Sequence, residues 1–249
     1  MGKITQNRRL IAVLTLAITT GLLVIFMNFP VNAVVGEQER NFQLLTSLPI
    51  IQKNHPLPPT LAQWQDKTKS GDYFDQIKPT KVGYLIWSNF PVKVKIETPT
   101  NINEKQSQVW VNSVLKAVQE WSIYLPLQVV EKSAIADIII FRKAPPLQRE
   151  PNGKILRARS ALTTYDLYNN ENNILSHRFT ILLSPTQIGD YVLSAARHEL
   201  GHALGIWGHS LLETDTMYFS QVRKPPFISV RDVNTLKKVY EQSTSLGQN

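Results

Sequence analysis

Val92, Val94 and Ile96 alternate with Lys93, Lys95 and Glu97, the two-residue period of a strand with one buried face. The period then lengthens. Val111, Val114, Val118 and Trp121 fall three and four apart, which predicts a helix whose stripe packs into a core. Asn103 stands where that helix needs an N-cap, with Gln106 three residues on, and Pro126 ends the element. Leu127 to Val130 reads as a short strand, and the unbroken apolar run Ile138 to Phe141 as a strand buried on both faces. Ala158 to Tyr165 and Phe179 to Leu183 are two more strands, separated by the loop signal NNENN, Asn169 to Asn173. A long helix follows, opened at Ser184-Pro185 with Gln187 at the capping-box position. The last helix runs from about Val230 to Glu241, with Ser229 as its cap and Asp232 three residues later. This order predicts an α/β (α+β) domain, one twisted mixed sheet carrying three helices.

The two ends read differently. Residues 34–88 are polar and punctuated by proline, as in NHPLPPT (Asn54 to Thr60), and suggest a linker or pro-segment with little structure of its own. The globular pattern occupies residues 89–249. At the N-terminus the basic MGKITQNRR precedes Leu10 to Met27, about 18 residues without a charge. Val31-Asn32-Ala33 offers small residues for a signal peptidase, so residues 1–33 read as a cleaved signal or as a membrane anchor through 10–27. Either way, the positive N-terminal flank places the rest of the chain outside the cytoplasm, secreted, periplasmic or anchored.

Composition narrows the partners. A chain of 249 residues, 43% hydrophobic and 18% charged, is an ordinary globular protein with room for one good core. The net charge of +8 includes Lys3, Arg8 and Arg9 in the N-terminal segment. What remains is modest and has no dense basic run, which argues against nucleic acid and leaves acidic substrates or an anionic membrane as suitable partners. The absence of cysteine excludes disulfides, thiolate ligands and a cysteine nucleophile.

The chemistry concentrates in HELGHALGIWGHS, His198 to Ser210. On a helix, residues four apart share a face, so His198 and His202 can offer two imidazoles to one ion. Glu199 lies about 100° around from His198, within reach of a water on that ion. A hydrolytic zinc site needs this set: the ion acidifies the water and polarises a carbonyl, and Glu199 serves as general base. Gly205, three residues past His202, can take positive φ and let the chain turn back. A third ligand is then required. His209 and Asp215 are the candidates.

HELGHALG, then His209-Ser210, then Met217-Tyr218 resembles the metzincin metalloproteases, and within them the matrixin branch. VLKAVQEWSIYLPLQVV, ADIIIF (Ala136 to Phe141) and the final RDVNTLKKVYEQ are also matrixin-like, so the likeness covers about Phe90 to Glu241. It implies a single catalytic domain in which the active-site helix is followed by a Met-turn at Met217. It further implies Zn2+ held by His198, His202 and His209, with Glu199 catalytic and a protein or peptide substrate. The usual third histidine sits one residue earlier. Counted back from Met217, however, His209 is in register, so the extra residue falls in the loop Ile206-Trp207-Gly208, which can absorb it. The resemblance also implies substrate lying extended beside the strand Ala158 to Tyr165.

Several departures bear on function. No cysteine can hold this chain latent, and Gly71-Asp72 is a candidate replacement if its carboxylate reaches the metal. The histidine- and aspartate-rich loop of vertebrate matrixins is missing, and His177, its one remnant, reads as a surface histidine. The expected function is an exported zinc endopeptidase. The alternative is an inactive zinc-binding or adhesion module of the same fold.

Overall fold

The chain forms β1 (Lys53–Asn54), a short α1 (Pro59–Gln63) and a single 3-10 turn at Phe74–Gln76 before the elements that the periodicity predicts. These are β2 (Val92–Ile96), α2 (Glu104–Trp121), β3 (Leu127–Val129), β4 (Ile138–Arg142), β5 (Ala161–Asn169), β6 (Leu175–Leu183), α3 (Asp190–Ala203) and α4 (Val230–Tyr240). A final β7 (Ser243–Thr244) pairs antiparallel with β1. The computed structural model describes residues 52–131, 134–156 and 158–248, all within the unit Thr46–Asn249. The expected signal or anchor, residues 1–33, lies outside the described residues. Among the described residues no helix is long and apolar enough to cross a membrane.

The main sheet has five strands in the order β3-β2-β4-β6-β5, parallel except for β5, which runs antiparallel to β6 along one edge. This is the mixed sheet and α+β arrangement expected. Val92 and Val94 are buried while Lys93 is exposed, as the alternation requires. In β4 only Ile138 and Ile140 are fully buried, so that strand is half-buried and its apolar run overstated its burial.

The helices follow their caps with one exception. Asn103 accepts from the Gln106 N–H at 2.9 Å, and Ser229 and Asp232 form a reciprocal capping box. Helix α2 buries Trp110, Val114, Ala117, Val118 and Trp121, a stripe rotated slightly from the expected one, with Trp110 in place of Val111. Helix α3 starts later than Ser184-Pro185: those residues form a separate turn, and the helix follows Gly189, whose φ is +56°. Trp121 locks α2 onto α3 by donating to the Arg197 carbonyl at 2.8 Å, while Arg197 forms an ion pair with Glu120. Full burial of a side chain like Trp121 is worth about 2–3 kcal/mol from its apolar area.

Residues 52–88 depart from expectation. Leu61, Tyr73, Ile77, Val82, Leu85, Ile86 and Trp87 are buried, so the described part of the proline-punctuated segment belongs to the core. Trp64 donates to Asn234 at 2.9 Å, and Asn234 in turn donates to the Gly71 carbonyl at 2.7 Å. Asp72 pairs with Lys238 at 2.8 Å and accepts from the Phe74 N–H. Its carboxylate is therefore spent on α4, and the latency role considered for Gly71-Asp72 has no support. His177 is also corrected. It is buried at the start of the inward face of β6, stacked on Trp87 at 4.0 Å, and loss of hydration lowers it to about 3.

Candidate metal centre

Helix α3 presents His198 and His202 on one side, as their spacing demands, with ring centroids 4.8 Å apart. At its end Gly205 takes a φ of +128°, a value that strains any residue with a Cβ, and the chain doubles back. The returning loop brings His209 to 5.3 Å from the His198 ring and 4.9 Å from the His202 ring. A nitrogen from each of the three lies within 4.8 Å of the others, close enough to hold one metal ion.

Two of the rings are oriented from behind. His198 Nδ1 sits 2.8 Å from the Thr216 carbonyl, and His202 Nδ1 sits 2.8 Å from the Ile206 carbonyl. A carbonyl only accepts, so each Nδ1 carries the proton and each Nε2 is left with a free lone pair. Burial, then the neighbouring imidazoles, hold His202 well below the ordinary histidine value. His209 is the most exposed of the three by residue, yet its ring is turned in among the others, and lost hydration holds it at about 4. Both are neutral near pH 7, the form that binds metal. Three neutral imidazole donors make a set that can hold one metal ion.

Asp215, the other candidate ligand, is placed elsewhere. Its carboxylate is fully buried and accepts from Ser210 Oγ, Ser229 Oγ at 2.7 Å and Arg231 Nε at 3.0 Å. It ties the turn before Met217 to α4. Met217 itself is fully buried, and its thioether packs against the α3 backbone at Gly201. A Cβ at Gly201 would collide with Met217 and sit 3.2 Å from the Trp121 ring, so the glycine between the two histidines is needed for packing.

Glu199 points to the sheet. Its Oε2 accepts a hydrogen bond of 2.6 Å from Thr163 on β5. Burial raises its carboxyl above the ordinary value, while the adjoining His198 ring, the Thr163 hydroxyl and the Arg159 guanidinium pull it back. Thr163 and Arg159 were not foreseen as site residues. Thr163 pairs with Ile181 across the ladder, so it shares the inward face of Ile181, and that parity was the available signal. Trp207, inside the one-residue expansion, packs edge-on to Tyr165 at 5.2 Å and lies 5.8 Å from the His202 ring. No family model matches the chain, and no curated protein matches it.

Proposed function

We propose that the protein is a zinc-dependent endopeptidase of the metzincin type, with its catalytic domain outside the cytoplasm. The observation that carries the reading is a buried carboxylate, Glu199, held by Thr163 on the same helix that supplies two of three clustered imidazoles. A site serving only to stabilise the fold would have no use for an acid there. His198, His202 and His209 would hold the ion. Bound there, zinc supplies a Lewis acid for the scissile carbonyl and a water acidic enough to lose its proton near neutral pH.

The protein's own groups do the rest. Thr163 occupies one oxygen of Glu199 and fixes the plane of the carboxylate, leaving the other oxygen to take the water's proton. Glu199 then passes that proton to the leaving amine. The substrate is a peptide, extended along the outer edge of β5, the last strand of the sheet among the described residues, where it can add a strand. Trp207 and Tyr165 present aromatic surface beside that edge.

Zinc content and peptide hydrolysis measured side by side for wild type and Glu199→Ala test this. Both should carry one zinc, and the variant should lose about 10²–10⁴ in turnover, the range for a positioned general base. Equal rates in the two, or no hydrolysis by zinc-loaded wild type, would reduce the protein to an inactive metal-binding module.

A further inference from the structure

All three histidines rest on structure supplied by residues 73–87, the segment whose sequence suggested a linker. Tyr73 is buried, and its hydroxyl donates to Asp232 Oδ1 at 2.6 Å. Asp232 in turn accepts from the N–H of Thr216 at 2.9 Å and of Met217 at 3.3 Å. The Thr216 carbonyl is the group that orients His198. One buried path of hydrogen bonds therefore leads from Tyr73 to the first imidazole.

The other two histidines are backed by contact. The Gln76 carbonyl passes so close to Gly208 that a Cβ there would lie 2.5 Å from the oxygen and 2.8 Å from Ile77 Cδ1. Gly208 immediately precedes His209, so Gln76 and Ile77 limit where that ligand's backbone can go. Near His202, Trp87 Nε1 donates to the Ala203 carbonyl at 2.9 Å, and the Leu85 carbonyl would lie 3.2 Å from a Cβ at Gly205. The segment is itself fastened to α4 by Asp72–Lys238 and by Arg231 donating to the Ser70 carbonyl at 3.2 Å.

We infer that residues 73–87 are a fixed wall of the metal centre, with Tyr73 a positioning residue for His198 and Gln76 a backstop for His209. The inference rests on the metal reading of the three histidines but not on peptidase activity. A wall of this kind makes the segment indispensable to metal binding. Separating it from the domain would weaken the site, where removal of an inhibitory pro-segment would uncover it.

Three variants of the full chain test the wall: Tyr73→Phe, which cuts the hydrogen-bond path, Gly208→Ala, which crowds Gln76, and Leu61→Ala as a control. Leu61 is a fully buried residue of α1, outside the wall, so its truncation loosens the same N-terminal region without touching the path. Zinc affinity is read by competition with a chromophoric chelator, at a temperature where each variant is fully folded by circular dichroism. Cobalt(II) absorption reports ligand geometry separately. Tyr73→Phe and Gly208→Ala should each weaken zinc by about tenfold, the lower end for groups that orient ligands, and shift the cobalt bands. Leu61→Ala should lower Tm but keep zinc affinity within about twofold and leave the cobalt spectrum unchanged. Equal affinity in Tyr73→Phe and wild type, or equal losses in Tyr73→Phe and Leu61→Ala, overturns the inference. If Tyr73→Phe does not fold, Gly208→Ala against Leu61→Ala decides by the same criteria. A wild type that binds neither metal removes the metal reading itself, a failure distinct from a folded metalloprotein that cleaves no peptide.

Discussion

The back and the front of the histidine cluster are built on opposite terms. Behind it stand Tyr73, Asp232, Met217 and Trp87, all buried and joined by hydrogen bonds or close packing. In front lie the outer edge of β5, which pairs with no further strand among the described residues, and the half-buried Arg159 and Trp207. Interiors resist any change of volume, whereas exposed groups tolerate most substitutions. The contrast implies a division of labour. Ligand geometry is fixed from behind, and contact with other molecules is left to groups whose replacement disturbs little else.

The contrast is sharpest where a ligand is removed. His202→Ala takes one of three donors from a site worth on the order of 10 kcal/mol, so several kcal/mol of zinc affinity should go. Stability without metal should change far less, because what the metal-free protein loses is mainly the hydrogen bond to the Ile206 carbonyl, about 1 kcal/mol. Chelator competition beside thermal melts of the metal-free protein separates the two effects. A metal-free Tm that falls as steeply as zinc affinity would show His202 to be a core residue.

Asp215→Ala should do the reverse. Removing a buried carboxylate orphans donors on Ser210, Ser229 and Arg231, at a cost of about 2–3 kcal/mol of stability. Zinc stoichiometry should stay at one for the folded fraction. Loss of zinc from a fully folded Asp215→Ala would put the aspartate back among the ligands.

How much of this was legible follows the distance over which each feature is decided. The capping box at Ser229 and Asp232 is a local matter, and so is the pairing of His198 with His202, one helical turn apart. His209 needed the count back from Met217, since a loop of one extra residue has no period of its own. Residues 52–88 were misread for a physical reason. Their buried positions, such as Leu61, Tyr73, Ile77, Val82 and Trp87, keep neither a strand nor a helix period, and the side-chain partners that fix Trp64, Tyr73 and Trp87 lie more than 110 residues along the chain. Sequence periodicity reports elements, not irregular chain laid over them. His177 was hidden by its type: it begins the alternating face His177, Phe179, Ile181, Leu183, but a histidine does not signal burial.

Between back and front lies the bond from Thr163 to Glu199. Its residue sits on the edge strand and its hydroxyl reaches inward, so Thr163→Val keeps the strand and deletes one hydrogen bond to a carboxylate. The bond stabilises the ionised carboxylate, so its loss makes Glu199 slightly more basic. The loss also frees the carboxylate plane, and misplacing a general base should outweigh that gain and lower turnover about tenfold. Zinc affinity should not change. The readout is kcat for a peptide substrate, with zinc content as the control, and an unaltered kcat would mean that Glu199 holds its position without help from β5.

The smallest effect belongs to the front. Arg159 donates to Gln148 at 2.9 Å and is near enough to Glu199 to favour its ionised form. It ends a stretch, residues 142–159, with six basic residues (Arg142, Lys143, Arg149, Lys154, Arg157 and Arg159) and one acid, Glu150. A half-exposed arginine with one side-chain hydrogen bond contributes little to the fold, so Arg159→Gln should change stability by less than about 0.5 kcal/mol. A positive charge at the rim of a cleft attracts an acidic peptide and does nothing for a neutral one of the same length. With the variant, kcat/KM for a peptide bearing glutamate beside the scissile bond should drop about threefold more than for its glutamine counterpart. Raising salt from 0.05 to about 0.5 M should shrink the same preference in wild type, because the screening length falls well below the width of a cleft. Equal losses on both peptides would place Arg159 with the groups that hold Glu199, on the side of the back wall, and leave the charge of the substrate to be read by some other part of the rim.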